Sequence, residues 1–177
     1  AILGLELNQV EEIASSASNV GTCEIANDNA PGQVVLSGQA HAIDAAIELA
    51  RDAGAKRAIP LDVSAPFHCS LLEPAAEVMA EALKKVAISS PNPPLICNVS
   101  AAETSDPNSV RTLLVQQVTK RVRWRETILV IQGHEVNTFV EIGTGKVLSN
   151  LNKRINKDLL STSVENPADI DTLLDNI

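Results

Sequence analysis

Ser64-Ala65-Pro66-Phe67-His68-Cys69-Ser70-Leu71-Leu72-Glu73-Pro74 is the stretch whose reading decides the fold. The extended run Ala58-Ile59-Pro60-Leu61-Asp62-Val63 leads into it and an amphipathic pattern from Pro74 to Val86 leaves it. His68 therefore falls where a strand gives way to a helix, and at such junctions α/β proteins place their chemistry. An imidazole, with an unperturbed pKa of about 6.5, can take and return a proton near neutral pH. On spacing alone two readings stand: a proton-transfer residue in need of a nucleophile, or a helix-start histidine that only hydrogen-bonds backbone.

Upstream of this junction the pattern reads β-α-β-β-α-β. Ala1 to Leu5 is a short apolar strand, and Asn8 with Glu11 gives a capping signature for a helix with Val10, Ile13, Ala14 and Ala17 on one face. Thr22 to Ala26 and Gln33 to Ser37 read as a hairpin around the turn-rich Asn27-Asp28-Asn29-Ala30-Pro31-Gly32. His41 to Ala53 is helical up to Gly54, and a fourth strand runs from Lys56 into the junction. This order predicts a ferredoxin-like sandwich over residues 1–61.

Downstream, Pro74 suits a first helical position, with Leu72, Ala75, Ala76, Met79, Leu83 and Val86 on one side. Pro91, Pro93 and Pro94 lead into Leu95-Ile96-Cys97-Asn98-Val99, expected as a buried strand. Asp106 or Ser105 can cap a helix through Val110, Leu113, Leu114 and Gln117, and Trp124 to Gln132 reads as another. Thr138 to Ile142 is a strand, Val147 to Ile155 a helix, Leu159 to Val164 a strand and Pro167 to Leu174 a helix.

Composition narrows the function classes. With 177 residues and a hydrophobic fraction of 45 % the chain can bury a full core. Mean hydropathy of +0.08 and no apolar run near the roughly 20 residues of a membrane span predict no membrane segment. The start Ala1-Ile2-Leu3 reads as a cut or processed end without a signal peptide. Three cysteines, Cys23, Cys69 and Cys97, form no Cys-x-x-Cys pair, so a reducing compartment is expected, the cytoplasm or a mitochondrial matrix. A net charge of −8 opposes nucleic-acid binding, which needs a basic footprint.

Local signals for chemistry are few. Gly143-Thr144-Gly145-Lys146 lacks full phosphate-loop spacing, which favours a tight turn over an anion site. Lys120-Arg121-Val122-Arg123-Trp124-Arg125 is the strongest basic cluster; a solvated helix start is its default, and ligand phosphates or an acidic partner its alternative. Cys69 adjoins His68, but adjacent side chains point apart. His41 and His134 have no Glu, Cys or His at ligand spacing, so no metal site is expected. No Gly-x-Ser-x-Gly occurs.

Taken in order, Asn29-Ala30-Pro31-Gly32-Gln33-Val34-Val35-Leu36-Ser37-Gly38, Ala55-Lys56-Arg57, Ser64-Ala65-Pro66-Phe67-His68-Cys69, Val122-Arg123-Trp124 and Glu141-Ile142-Gly143-Thr144-Gly145-Lys146-Val147-Leu148 resemble the malonyl-CoA:acyl-carrier-protein transacylases, over essentially the whole chain. The match is to the C-terminal part of those enzymes. The resemblance implies a ferredoxin-like subdomain inserted in an α/β-hydrolase-like body, hence residues 1–61 as the subdomain and 62–177 as the C-terminal part of the acyltransferase domain. It implies that His68 is the catalytic base and that the backbone carbonyl of Gln117 orients it in place of a triad carboxylate. It sets Asn29 close to the acyl site, Lys56 and Arg57 against the phosphates of CoA or the acidic carrier protein, and Phe67 as a bulky neighbour that excludes an α-methyl branch. Arg121 departs from a common proline.

The implied reaction is ping-pong transfer of malonyl from CoA to the phosphopantetheine thiol of acyl carrier protein, in fatty acid biosynthesis and without a cofactor, malonyl-CoA being a substrate. The nucleophilic serine, the arginine for the malonyl carboxylate and an oxyanion-hole glutamine belong to an N-terminal half that this sequence lacks, so the isolated chain is expected to be inactive and that half is an expected partner. Two alternatives remain: a non-catalytic module for binding carrier protein, and a polyketide-type acyltransferase domain.

Overall fold

A computed structural model describes residues 1–175. Its elements run β1 (Ile2–Leu3), α1 (Leu7–Ala17), β2 (Cys23–Ala30), β3 (Gln33–Gly38), α2 (Ala40–Asp52), β4 (Arg57–Ala58), a 3-10 turn (Ser70–Leu72), α3 (Glu73–Leu83), β5 (Leu95–Cys97), β6 (Ala102–Thr104), α4 (Pro107–Thr119), α5 (Trp124–Gly133), β7 (Thr138–Ile142), α6 (Val147–Ile155), β8 (Leu160–Val164) and α7 (Pro167–Leu174). The chain divides into two compact units, Ala1–Thr127 and the remainder from Ile128.

In the first unit β1 to β4 form one sheet in the order β2-β3-β1-β4, with every neighbouring pair antiparallel. The periodicity works as expected: Val10, Ile13, Ala14 and Ala17 of α1 and Ala42, Ala46 and Ala50 of α2 are buried, and they share a core with Ile2, Leu5, Cys23 and Val34. The small alanine stripe lets α2 approach its neighbours closely, and Gly54, at φ +86°, ends that helix in the left-handed region. Gly38 sits where an added Cβ would stand 1.9 Å from the Thr22 carbonyl oxygen, so only glycine permits this crossing of the hairpin.

Several expectations are corrected. The α1 N-cap is Glu6, whose backbone N–H donates to Gln9 Oε1 at 3.0 Å, and not Asn8. The turn-rich run 27–32 is mostly strand: β2 continues to Ala30 with two register shifts, leaving only Pro31 and Gly32 to reverse the chain. The fourth strand stops at Ala58, because Pro60 has no N–H to continue the ladder. Among the described residues Leu95–Cys97 pairs only with the unforeseen β6, and Leu95 stays exposed, since a two-stranded ribbon covers little of itself. On the predicted face of α3 only Ala76 is buried. Asp106 does cap α4, its Oδ2 accepting from Ser109 N at 2.8 Å.

In the second unit β7 and β8 are parallel, with α6 as their crossover. The Glu141 carboxylate, at the end of β7, accepts from Leu148 N at 2.9 Å and Ser149 N at 2.8 Å and so caps α6. Among the described residues no helix is long and apolar enough to cross a membrane.

Candidate functional site

His68 enters the site through an unusual backbone. Its φ is +59°, in the left-handed region where a side chain is disfavoured. The segment is held on both flanks: buried Cys69 donates from Sγ to the Pro66 carbonyl at 3.2 Å, and Ser70 N donates to Glu24 Oε2 of β2 at 3.2 Å, with Ser70 Oγ also bonded to Glu24 Oε1. Non-glycine residues persist in such conformations where their surroundings over-determine them, as at reactive sites.

The partner comes from a helix end. α4 stops at Thr119, and its last intrahelical bond runs from Lys120 N to Gln116 O at 3.0 Å. The Gln117 carbonyl is one of the last-turn acceptors that a helix cannot satisfy for itself. It accepts instead from His68 Nδ1, 2.8 Å away and 49 residues distant in sequence. A carbonyl only accepts, so Nδ1 carries a hydrogen, and in the neutral ring Nε2 is then the nitrogen with the free lone pair. A ring held in this way can take up a proton at Nε2.

Beyond α4 the chain is pinned to β2. Val122 N donates to Ala26 O at 2.8 Å and Asp28 N donates to Val122 O at 2.9 Å, a parallel bridge on the outer edge of β2. Asp28, 1 % exposed, accepts at Oδ2 from Arg125 Nε at 3.0 Å and lies 2.9 Å from its Nη2, while Oδ1 has no hydrogen-bond partner among the described residues. Burial pushes the Asp28 carboxyl above the usual carboxylate range, against the hydrogen bond and charge of Arg125.

The three arginines of the basic cluster are engaged in ion pairs within the fold, while Lys120 is exposed. Arg121 pairs with Glu11 at 3.0 Å and approaches Glu126; Arg123 bonds Glu126 through Nε at 3.0 Å and through Nη2, and donates from Nη1 to Ser100 O at 2.9 Å. The Arg123 hydrogen bond holds the Glu126 carboxyl below its usual range. At Gly143-Thr144-Gly145-Lys146 the tight-turn reading fits, because Glu141 occupies the helix N–H groups an anion would need. His41 is bonded through Nε2 to Val20 O at 2.7 Å.

Of the residues singled out from sequence, His68 and Gln117 meet. Phe67, 48 % exposed, lines a cavity of about 480 Å³ with Pro66, Val63, Leu36, Ile43 and Asn27. Asn29 is half-buried near the end of β2, while Lys56 and Arg57 are exposed at the start of β4. Among the described residues no hydrogen bond or ion pair joins Asn29, Lys56 or Arg57 to the His68–Gln117 pair. Glu24 escaped the sequence reading, which had Asp28 as a turn residue and Arg125 only as a member of the basic cluster.

A family model described as the acyl transferase domain matches residues 1–166. The malonyl CoA-acyl carrier protein transacylase of Bacillus subtilis (strain 168) is 41 % identical over 172 residues, which are 97 % of this chain and 54 % of the relative. The crystal structure of an acyl-carrier-protein-S-malonyltransferase from Bartonella henselae is 50 % identical, with a TM-score of 0.95 over 99 % of this chain and 56 % of that one. A malonyl-transacylase in complex with a type II PKS acyl-carrier protein is 36 % identical, with a TM-score of 0.95 over 99 % of this chain and 57 % of that one. The chain spans about half the length of the curated relatives it matches.

Proposed function

Since the chain belongs to the acyl transferase domain family, we propose that it supplies the general base for malonyl transfer from CoA to the phosphopantetheine thiol of acyl carrier protein, a step of fatty acid biosynthesis. The observation that carries this reading is the bond from His68 Nδ1 to the Gln117 carbonyl, which leaves Nε2 ready to take a proton. A serine on a further, N-terminal half attacks the malonyl thioester as His68 Nε2 removes its proton. The proton then goes to the departing CoA thiolate; in the second half-reaction His68 takes the proton of the carrier thiol as the sulfur attacks the malonyl-serine ester, and gives it to the departing serine oxygen. No cofactor enters.

Residues 1–61 act in this reading as a ferredoxin-like subdomain, supported by the antiparallel order β2-β3-β1-β4, and residues 62–177 as the C-terminal part of the acyltransferase body. Phe67 narrows the acyl pocket and Asn29 lies near it. Lys56 and Arg57 meet the CoA phosphates or the acidic carrier protein, a role their exposure suits. Three free cysteines support a cytoplasmic setting. A polyketide carrier protein is a second reading of the acceptor, favoured by the likeness to a malonyl-transacylase in complex with a type II PKS acyl-carrier protein.

The test is transfer of labelled malonyl from CoA to carrier protein, run with this chain, with the serine-bearing half of a relative, and with both together. Only the combination should turn over, and His68→Ala should lower its rate by roughly a thousandfold or more. Full activity of the His68→Ala combination would favour the non-catalytic docking module.

A further inference from the structure

The outer edge of β2 holds both partners of the His68–Gln117 bond. Near its start Glu24 takes the N–H and hydroxyl of Ser70, two residues past His68. Four residues on, about 13 Å along a strand, Asp28 takes Arg125 and its own N–H takes the Val122 carbonyl. Val122 is five residues past Gln117, and two of those five, Val118 and Thr119, still belong to α4. The point at which Val122 and Arg125 are tied therefore fixes where the last turn of α4 ends, and with it the direction of the Gln117 carbonyl.

We infer that Asp28 and Arg125 form a positioning pair that holds the Gln117 carbonyl on His68 Nδ1. The inference rests on the reading of His68 as the base. Stability alone accounts poorly for the pair. Asp28 is almost completely desolvated, both guanidinium contacts fall on Oδ2, and Oδ1 is buried without a hydrogen-bond partner among the described residues. A buried ion pair left partly unsatisfied is no more stabilising than apolar side chains of similar volume, and frequently less so. What it adds is direction. A planar guanidinium gripped by one carboxylate oxygen can be seated in few ways, whereas an apolar contact tolerates sliding.

The decisive variant is Asp28→Leu with Arg125→Met, made in the enzyme completed by its serine-bearing half, so that no charge is left unpaired. Two readouts are taken: kcat and KM for malonyl-CoA, and the nitrogen-15 shifts of the His68 ring, which report its tautomer. The double variant should fold with an unchanged circular dichroism spectrum, lose about 10-fold to 100-fold in kcat with KM unchanged, as a misdirected base does, and populate both His68 tautomers. Arg125→Lys, which keeps the charge but not the planar fork, should fall between it and the parent on both readouts. Wild-type kcat with a single Nδ1–H tautomer in the double variant would overturn the inference. Failure of both variants to fold would do the same by making the pair a folding element. His68→Ala runs alongside: if it retains full activity the base reading itself fails, whereas its inactivity beside a wild-type double variant defeats only the positioning claim.

Discussion

Replacing His68 separates the cost of its backbone from the work of its ring. At φ +59° the residue sits in the left-handed region, where a side chain costs about 1–2 kcal/mol that glycine does not pay. Alanine at this position keeps that cost and loses the 2.8 Å bond to Gln117, worth about 0.5–1.5 kcal/mol. Glycine loses the same bond and is released from the strain, but its looser unfolded chain costs about 0.4–1 kcal/mol. The difference leaves His68→Gly more stable than His68→Ala by about 0.5–1 kcal/mol. For a chain of this length that is a gap of about 1–3 °C in thermal midpoint. Both variants should be inactive in malonyl transfer, so stability and activity are read independently. The assay is thermal and urea unfolding of parent, alanine and glycine forms side by side. The sign decides: at an ordinary right-handed or extended position glycine would be the less stable of the two, and that order would refute a left-handed His68.

Three further outcomes follow from the geometry. Gln117→Ala should keep most of the transfer activity of the completed enzyme because the accepting oxygen is main chain, while Gln117→Pro should lose it through damage to the last turn of α4, at a cost of about 3 kcal/mol; inactivity of a folded alanine variant would assign the role to the side chain. Phe67→Ser should raise methylmalonyl relative to malonyl transfer by about 1–3 kcal/mol in selectivity, and an unchanged ratio in competition assays would show that this ring does not bound the acyl pocket. Glu126, held below its ordinary value of 4.5 by its hydrogen bond to Arg123, contributes stability that is present above that value and lost as pH falls through its lower folded-state value. Unfolding midpoints should therefore drop more steeply for the parent than for Glu126→Gln on acidification below about pH 4.5, and parallel curves would contradict the pairing.

Local chemistry made most helices legible. Pro74 in a first turn, Asp106 as a cap and Gly54 as a stop act within a few residues of the element they bound, and α2, α5, α6 and α7 lie within a residue of their expected positions. Two of the misreadings share one cause, a partner outside the run itself. Asn27-Asp28-Asn29 has the composition of a turn, but a buried aspartate is tolerable in a strand once an arginine 97 residues away reaches it, and no local pattern announces such a partner. In the same way the reversal of Leu95–Cys97 onto β6 depends on pairing, not on propensity. His68 stood out from its place between extended and helical patterns. Its link to Gln117 did not follow from spacing; it came from the likeness to a family, and the reason for the link, an end-of-helix carbonyl with no helical donor, is visible only in three dimensions.

The sheet order β2-β3-β1-β4 also bears on how the chain avoids its own kind. Two strands of this sheet have an outer side that another copy could extend. One is occupied near Asp28 by Val122, and the register shifts in β2 bend that strand out of a flat template. The other, β4, is two residues long, carries the exposed charge of Arg57 and is followed within two residues by Pro60. Short length, charge and proline are the means by which natural sheets discourage strand-to-strand aggregation. The contact that directs a carbonyl at a histidine thus also closes one of the two sides by which this sheet could grow.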